Sequence, residues 1–373
     1  MDGALVFFII SDKEGIGMTQ QEITERNLGQ SLDDLANLDP RGYGVCKILY
    51  DASRRFTGGP TSMNAARKLV QTLKAGDIVY IMTGFVLRPY KMAEMDGIVS
   101  SALLCRALVK AFQAKPVIVC PRDNYEAVRH LAPCVGLHLL EDTQALREIP
   151  VSMGVICFTS DPAQAPAQAD AIIARDHPAA VISIECPGTN EKGVYHNATG
   201  LEVTELEAKQ DVLFEKLQAA GILNIAIGDL GNEIGMGTLR QALETYIPYA
   251  APGACRCGCG GGIAARTSAD NIITATVSDW GCYAMIAAMA YLLGDPDILH
   301  SPELERKTME TASSSGMIDM YGWLIPAIDG FGPEINLPIV ALMGEMVKSA
   351  LGLKQTCKTW FEKVEQLGYF DAH

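Results

Sequence analysis

The chain has 373 residues, 49% of them apolar, and a formal charge of −14. That composition supplies a large buried core in one large or two mid-sized domains, while the acidic field repels phosphate and speaks against nucleic acid or an anionic membrane as partner. Eleven cysteines at irregular spacing fit a reducing compartment better than a disulfide framework, so the thiols are expected to be free and the protein soluble and cytoplasmic.

The opening MDGALVFFIISDKEG lacks a basic n-region and its apolar run breaks at Ser11, so it reads neither as a secretory leader nor as an Arg-rich presequence. The first 60 residues read mainly as helix. From residue 61, helical stretches alternate with short apolar runs: TSMNAARKLVQTLKA then DIVYIMT, SSALLCRALVKAF then KPVIVC, NYEAVRHLA then GLHLL. The alternation resumes after Pro150 with MGVICF, AAVISIE, the amphipathic VTELEAKQDVLFEKLQAA and GILNIAI, and the chain ends in helices near 281–293, 302–313, 338–350 and 356–367. This pattern predicts an α/β fold with a mixed, mostly parallel sheet flanked by helices and a helical N-terminal segment. The expected divisions are 1–60, an α/β subdomain at 61–150 and a catalytic α/β subdomain at 151–373, with one compact domain as the alternative. The longest uncharged apolar stretch, Trp280 to Gly294, is too short to span a bilayer. Its segment GCYAMIAAMAYLLG reads as a buried core helix, with pairing in a homo-oligomer as the other account.

In an open α/β sheet, ligands bind beyond the carboxyl ends of the strands. The residues there are Thr83 and Gly84, then Glu94 or Asp96; Glu185 followed by CPGTNEKGVYHNATG; Gly228 to Gly237; and Asp279. Four strand ends thus deliver carboxylates, and converging carboxylates require a cation or shared protons. A divalent metal is the economical explanation, Mg²⁺ or Mn²⁺ for an all-oxygen set, with helix capping as the bland account of any single acid.

The segment IGDLGNEIGMG precedes a helix expected at Gly237 or Thr238. Its glycines let backbone approach a ligand and its amides face a positive helix end, so it reads as a ligand cradle. Asp229 and Glu233 supply charge for a metal or a proton, and Asn232 supplies a donor for a carboxylate oxygen. Neither a Walker A loop nor G-x-G-x-x-G is present, and no nucleotide or organic cofactor is expected. Thr57, Gly58 and Gly59, before Pro60 and a good helix, form a second candidate for holding a carboxylate or else an ordinary helix start. Cys255, Cys257 and Cys259 alternate, whereas zinc and iron–sulfur sites use C-x2-C, and an extended strand points Cys257 away from its neighbours. The segment therefore reads as a reduced glycine-rich loop, with a structural metal as the alternative. His196 lies beyond a strand, either near the site or as a loop donor.

With these residues assembled, the chain resembles the D-glutamate cyclase family, the domain at the carboxyl end of the mammalian enzymes. The matching residues are TGF (83–85), EMDG (94–97), SIE followed by YHNA, GDLGNEIGMG (228–237), VSDWGCYAM (277–285) and IDGF (328–331), with Leu230 where relatives usually have Gly and Ile98-Val99 where they have Pro-Pro. The resemblance implies a lyase that cyclises D-glutamate to 5-oxo-D-proline and water, or acts on a close glutamate-like acid, with manganese or another divalent metal as helper. On this reading a metal sits on Glu185, Asp229 and Glu233, while Asp229, Glu233, Asp96 and Asp279 carry the catalysis. Thr57, Gly58, Gly59, Thr83, Gly84, Asn197, Gly228 and Asn232 hold a small dicarboxylic amino acid. A metal-dependent hydrolase acting on phosphate esters, lactams or lactones and a non-enzymatic acidic-ligand sensor remain as alternatives.

Overall fold

Apolar residues at helical spacing on a polar background dictate the first elements. In the computed structural model, which describes residues 20–366, α1 covers Gln20–Ala36 and α2 covers Val45–Thr57. Helix α2 buries Cys46, Leu49, Tyr50 and Ser53, the stripe of a helix packed on one face. It stops at Gly58, whose φ of 73° suits glycine. The expectations for the opening MDGALVFFIISDKEG and for residue 367 lie outside the described residues.

Helix α3 (Thr61–Thr72) leads into strand β1 (Ile78–Thr83), whose six residues are all buried, as a central parallel strand requires. A two-residue antiparallel pair follows, β2 (Val86–Leu87) and β3 (Met92–Ala93). Then come α4 (Ile98–Phe112), β4 (Lys115–Cys120), α5 (Tyr125–Cys134), β5 (His138–Leu140), α6 (Thr143–Glu148), β6 (Ser152–Cys157), α7 (Ala165–Asp176) and β7 (Ala180–Ile184). Helix α8 (Gln210–Ala219), β8 (Leu223–Gly228), α9 (Arg240–Tyr246), β9 (Asn271–Thr274), α10 (Ser278–Leu293), α11 (Pro302–Ser314) and α12 (Pro333–Gln366) complete the chain.

The seven-stranded sheet runs β5-β6-β4-β1-β7-β8-β9 with every pair parallel. Strands from both sides of Pro150 interleave in it, β6 lying between β5 and β4. Side chains alternate between faces: Val79, Ile81, Ile118, Ile182 and Ile184 pack under α1, α3, α4 and α10, while Ile78, Tyr80, Val117, Val119 and Val181 pack under α7 and α8. Helix α10 buries Ser278 through Tyr291 without a polar face, the core helix that its composition predicts. Gly281 brings it against the sheet, since a Cβ there would lie 2.9 Å from Ile227 Cγ2. The two terminal helical patterns are one helix, α12, packed on α1, α10 and α11. Its stretch Pro333–Gly352 is long and apolar enough to cross a membrane by length and composition, with 33% of that window buried.

Two segments differ from their sequence reading. VTELEAKQ is irregular up to Gln210, because Lys209 Nζ donates to the carbonyls of Thr204 and Glu207 at 2.6 Å and diverts the backbone. The stretch DPAQAPAQA enters α7, with proline in the first turn where its missing N–H does no harm.

Candidate active site

Strand β1 connects outward to β4 on one side, and the chain returns at β7 on the other. The connections diverge there, leaving a crevice at the carboxyl ends of β1 and β7. A cavity of about 280 Å³ occupies it, lined by Glu94, Asp96, Glu185, Asp229, Glu233 and Asp329 together with Asn197 and Asn232. Phe85, Leu87, Tyr90 and Met320 form its apolar wall.

Asp96 and Asp279 are locked by reciprocal capping. Asp96 Oδ1 accepts from the amides of Gly97 at 2.9 Å and Asp279 at 3.0 Å, and its Oδ2 accepts from that of Ser278 at 3.1 Å. Asp279 Oδ1 accepts in turn from the amides of Gly97 at 2.9 Å and Ser100 at 3.2 Å. Each carboxylate thus sits at the positive start of the other's helix, α10 or α4. Asp279 does not line the cavity, and its Oδ2 is buried with no partner. Gly97 is required between them: with φ 85°, a Cβ would meet Thr83 Oγ1 at 2.5 Å and the Ile184 carbonyl at 2.8 Å.

Glu185 follows β7 with a φ of 45°, a left-handed conformation that is strained for a side chain with a Cβ. The turn aims its carboxylate into the crevice, where Ser278 Oγ donates to Oε2 at 2.6 Å.

Asp229 follows β8 and lines the cavity beside Glu233, whose charge, after burial and Glu185, helps to raise it. Glu233 folds back to accept from the amides of Leu230 at 3.1 Å and Gly231 at 2.7 Å. The glycine-rich loop is consequently no open cradle. The Gly235 and Gly237 amides are also spent, on Thr267 Oγ1 at 2.8 Å and the Thr267 carbonyl at 2.9 Å. A buried carboxylate needs donors, and the loop's own amides are nearest. The expected helix starts later, with a single 3₁₀ turn at Gly237–Leu239 leading into α9. Gly228 packs against Glu233 rather than lining the cavity, with its Cβ position 3.1 Å from Glu233 Oε2. Asn232 Nδ2 donates to the His196 carbonyl at 3.1 Å while its Oδ1 is buried without a partner, so it offers the cavity an acceptor rather than the donor expected.

Asn197 lines the cavity and holds its loop, Oδ1 accepting from the Thr199 amide at 3.2 Å and the Leu201 amide at 3.0 Å. Thr83 and Gly84 lie behind the wall; Thr83 Oγ1 has no partner and Gly84 is pressed against Pro121 and Asn124. Thr57, Gly58 and Gly59 line a different cleft beside Glu25 and Arg67. That corner lies toward the amino end of β9, where Asn64 Nδ2 donates to Asn271 Oδ1 at 3.2 Å.

Glu94, weighed from sequence as the alternative to Asp96, lines the cavity alongside it. Asp329 and Arg41 were missed. The IDGF motif marks Asp329, but nothing in the sequence singles out Arg41, which donates to the Asp329 carboxylate and carbonyl and stacks 4.6 Å over Phe331. Trp280 Nε1 donates to Asn336 Oδ1 at 2.7 Å, and Asn336 Nδ2 donates to the Phe331 carbonyl at 2.7 Å. This chain holds the IDGF turn against α10.

Burial and mutual repulsion govern the charges. Burial raises Glu94, Glu185, Asp229 and Asp279 well above the usual carboxylate range, with repulsion next: Asp96 acts on Glu94 and Asp279, Glu233 on Glu185, and Glu185 on Asp229. Asp96 is pushed up to about 7 by burial and then by Asp329, against the pull of its three amide donors. Among the described residues no lysine or arginine lines the cavity. The cluster therefore demands protons or a cation. Asp96, Glu185 and Asp229 each offer a buried oxygen within 4.8 Å of the others. Such an all-oxygen set fits Mg²⁺ or Mn²⁺. The structure assembles Asp96 with Glu185 and Asp229, and Glu233, expected as a ligand, stands outside that group.

Residues 32–343 match the family model described as D-glutamate cyclase-like, C-terminal. A mitochondrial D-glutamate cyclase of Homo sapiens is 33% identical over 114 residues, which are 30% of this chain and 17% of that protein. The aligned segment is thus a small part of the relative, whereas the family model spans the sheet, the capped aspartates and the IDGF turn. The chain belongs to the D-glutamate cyclase-like family, as its C-terminal type of domain.

Proposed function

We propose that this chain is a lyase that closes D-glutamate, or a close glutamate-like acid, into 5-oxo-D-proline and water. The observation that carries the reading is the meeting of Asp96, Glu185 and Asp229 from separate strand ends in a cavity of about 280 Å³. Family membership supports the substrate class, and a small dicarboxylic amino acid in a reducing, cytoplasmic setting is the proposed partner.

In this reaction the amine nitrogen bonds to the side-chain carboxyl carbon, one carbon–oxygen bond of that carboxyl breaks, and two ammonium protons leave with the oxygen as water. Folding of the substrate and timely proton movement are what a protein can add. Asn232 Oδ1 and Asp329 are acceptors for the ammonium. Glu94, which burial pushes toward its protonated form, gives its proton to the departing oxygen and recovers one from the amine, and repeats the exchange so that both protons reach the oxygen. Phe85, Leu87, Tyr90 and Met320 keep bulk water off the product. A divalent ion on Asp96, Glu185 and Asp229 would neutralise the cluster and polarise the substrate carboxyl.

The test is incubation of the chelated protein with D-glutamate, L-glutamate and 5-oxoproline, with and without Mn²⁺. Metal-stimulated loss of D-glutamate is expected. No turnover in either direction, alongside phosphate release from simple esters, would replace the reading with a metal-dependent hydrolase. Retained D-glutamate binding without turnover would leave a sensor.

A further inference from the structure

We propose a second metal centre, a structural zinc ion bound by His196, Cys255, Cys257 and Cys259, at the outer side of the cavity loop. The four donor atoms lie within 4.8 Å of one another. Cys255 Sγ is 3.5 Å from Cys259 Sγ and 3.7 Å from Cys257 Sγ, while His196 Nε2 is 3.1 Å from Cys257 Sγ and 3.6 Å from Cys259 Sγ. A tetrahedral zinc with ordinary bond lengths sets sulfur–sulfur edges of about 3.8 Å and sulfur–nitrogen edges of about 3.6 Å. The sulfurs already stand near those corners, and far beyond the roughly 2.05 Å of a disulfide.

Three further observations point to a bound cation. Nδ1 of His196 donates to the Val194 carbonyl at 3.2 Å, which leaves the Nε2 lone pair facing the sulfurs, as an outer hydrogen bond does for a metal-bound imidazole. The sulfurs collect donors: the Cys259 amide to Cys257 at 3.4 Å, and the Gly261 amide at 3.4 Å and Asn190 Nδ2 at 3.3 Å to Cys259. Donors converging on sulfur favour thiolates over thiols. The backbone is also shaped for it. Gly258, Gly260 and Gly262 have φ of 77°, 81° and 71°, so Cys257 and Cys259 are each followed directly by a left-handed residue and a third closes the segment.

Those turns overturn the expectation that alternation points Cys257 away. That expectation holds for an extended strand, and residues 255–262 contain none. Curling the segment brings all three sulfurs to one side, and side chains are excluded where it packs: a Cβ on Gly262 would lie 2.2 Å from the Ala250 carbonyl, and one on Gly261 would lie 2.4 Å from Asn190 Nδ2. Four protein donors close the coordination, which marks a structural rather than a catalytic ion. Binding exchanges the three thiol protons for one Zn²⁺ and leaves the imidazole neutral. The ion would tie the 250–262 loop to the loop bearing Asn197 and to the His196 carbonyl that receives Asn232.

Elemental analysis of the full chain, purified under reductant and exchanged into excess Mn²⁺, tests this. About one zinc per chain is expected, lost in Cys257→Ser and retained in Cys134→Ser and in Asp229→Asn. Should Cys257→Ser not fold, cobalt loaded into the unaltered chain gives an independent readout, with the thiolate charge-transfer and d–d bands of tetrahedral cobalt expected. Less than a tenth of a zinc per chain after zinc loading, iron or copper at one per chain in place of zinc, or a Cys255–Cys259 disulfide in the reduced preparation would each overturn the assignment.

Discussion

If the cavity acids are raised by burial, the metal-free protein must lose stability as pH rises. The sign follows from linkage. A carboxyl with a folded-state pKa above its unfolded value binds its proton more tightly when folded, so its contribution is present at low pH and lost as pH climbs through the folded value. Asp96 moves from an ordinary 3.8 to about 7. Three pH units at about 1.4 kcal/mol each give roughly 4 kcal/mol lost between about pH 4 and 7 from this residue alone. That is a large part of a typical total stability of about 5–15 kcal/mol. Glu94, Glu185 and Asp229 act in the same direction. Asp176 opposes them, held low by Arg175, Thr143 and Tyr80 against its burial, but only below its ordinary 3.8. His196, lowered by burial, opposes them only up to its ordinary 6.5. The assay is urea unfolding of chelated protein from pH 5 to 8, with Asp96→Asn and Mn²⁺ as parallel arms. The chelated midpoint should fall steadily, Asp96→Asn should flatten the slope by about 1.4 kcal/mol per unit up to pH 7, and Mn²⁺ should restore the midpoint most at pH 8. A chelated midpoint that is flat or rises from pH 5 to 7, below the range where the lowered Cys255 thiol opposes the loss, refutes the account of the cluster.

Asp229→Asn should lower turnover of D-glutamate by about a hundredfold or more with a much smaller change in KM, while raising the chelated midpoint at pH 8; parallel kinetics and urea curves check both, and unchanged kcat removes Asp229 from the chemistry. Arg41→Met strips the partner of Asp329 and should destabilise by about 3 kcal/mol at pH 8. Its effect should shrink at pH 5, because burial raises the Asp329 carboxyl and a protonated acid needs no guanidinium. Gly235→Ala places a Cβ 2.2 Å from Ala226 Cβ at a φ of 90°. It should cost on the order of 3 kcal/mol in urea unfolding, and a midpoint within error of the parent would contradict the packing.

The alternation of helical and apolar segments, the buried α10 and the acids at strand ends are legible without coordinates, because each depends on local periodicity and on what a strand end can present. The resemblance likewise points to Asp96, Glu185, Asp229 and Asn197, which the cavity brings together. Thr57 to Gly59 mislead because a glycine–proline helix start looks the same wherever the fold puts it, and here α2 carries it to another cleft. The cysteine segment misleads for a different reason: alternation has one meaning in a strand and the opposite meaning when left-handed glycines curl the chain.

What the sequence by itself determined is the class of fold, the supply of carboxylates at strand ends and the apolar budget of the core, all consequences of residue order along short stretches. Only the tertiary structure decided that Asp279 caps α4 while Asp96 faces the cavity, that Glu233 spends its oxygens on its own loop, and that Arg41 answers Asp329. These outcomes depend on which donors lie nearest once distant segments pack. Hydrogen bonds and ion pairs reach only about 3–4 Å, so their partners are selected by the fold and not by neighbours in the chain.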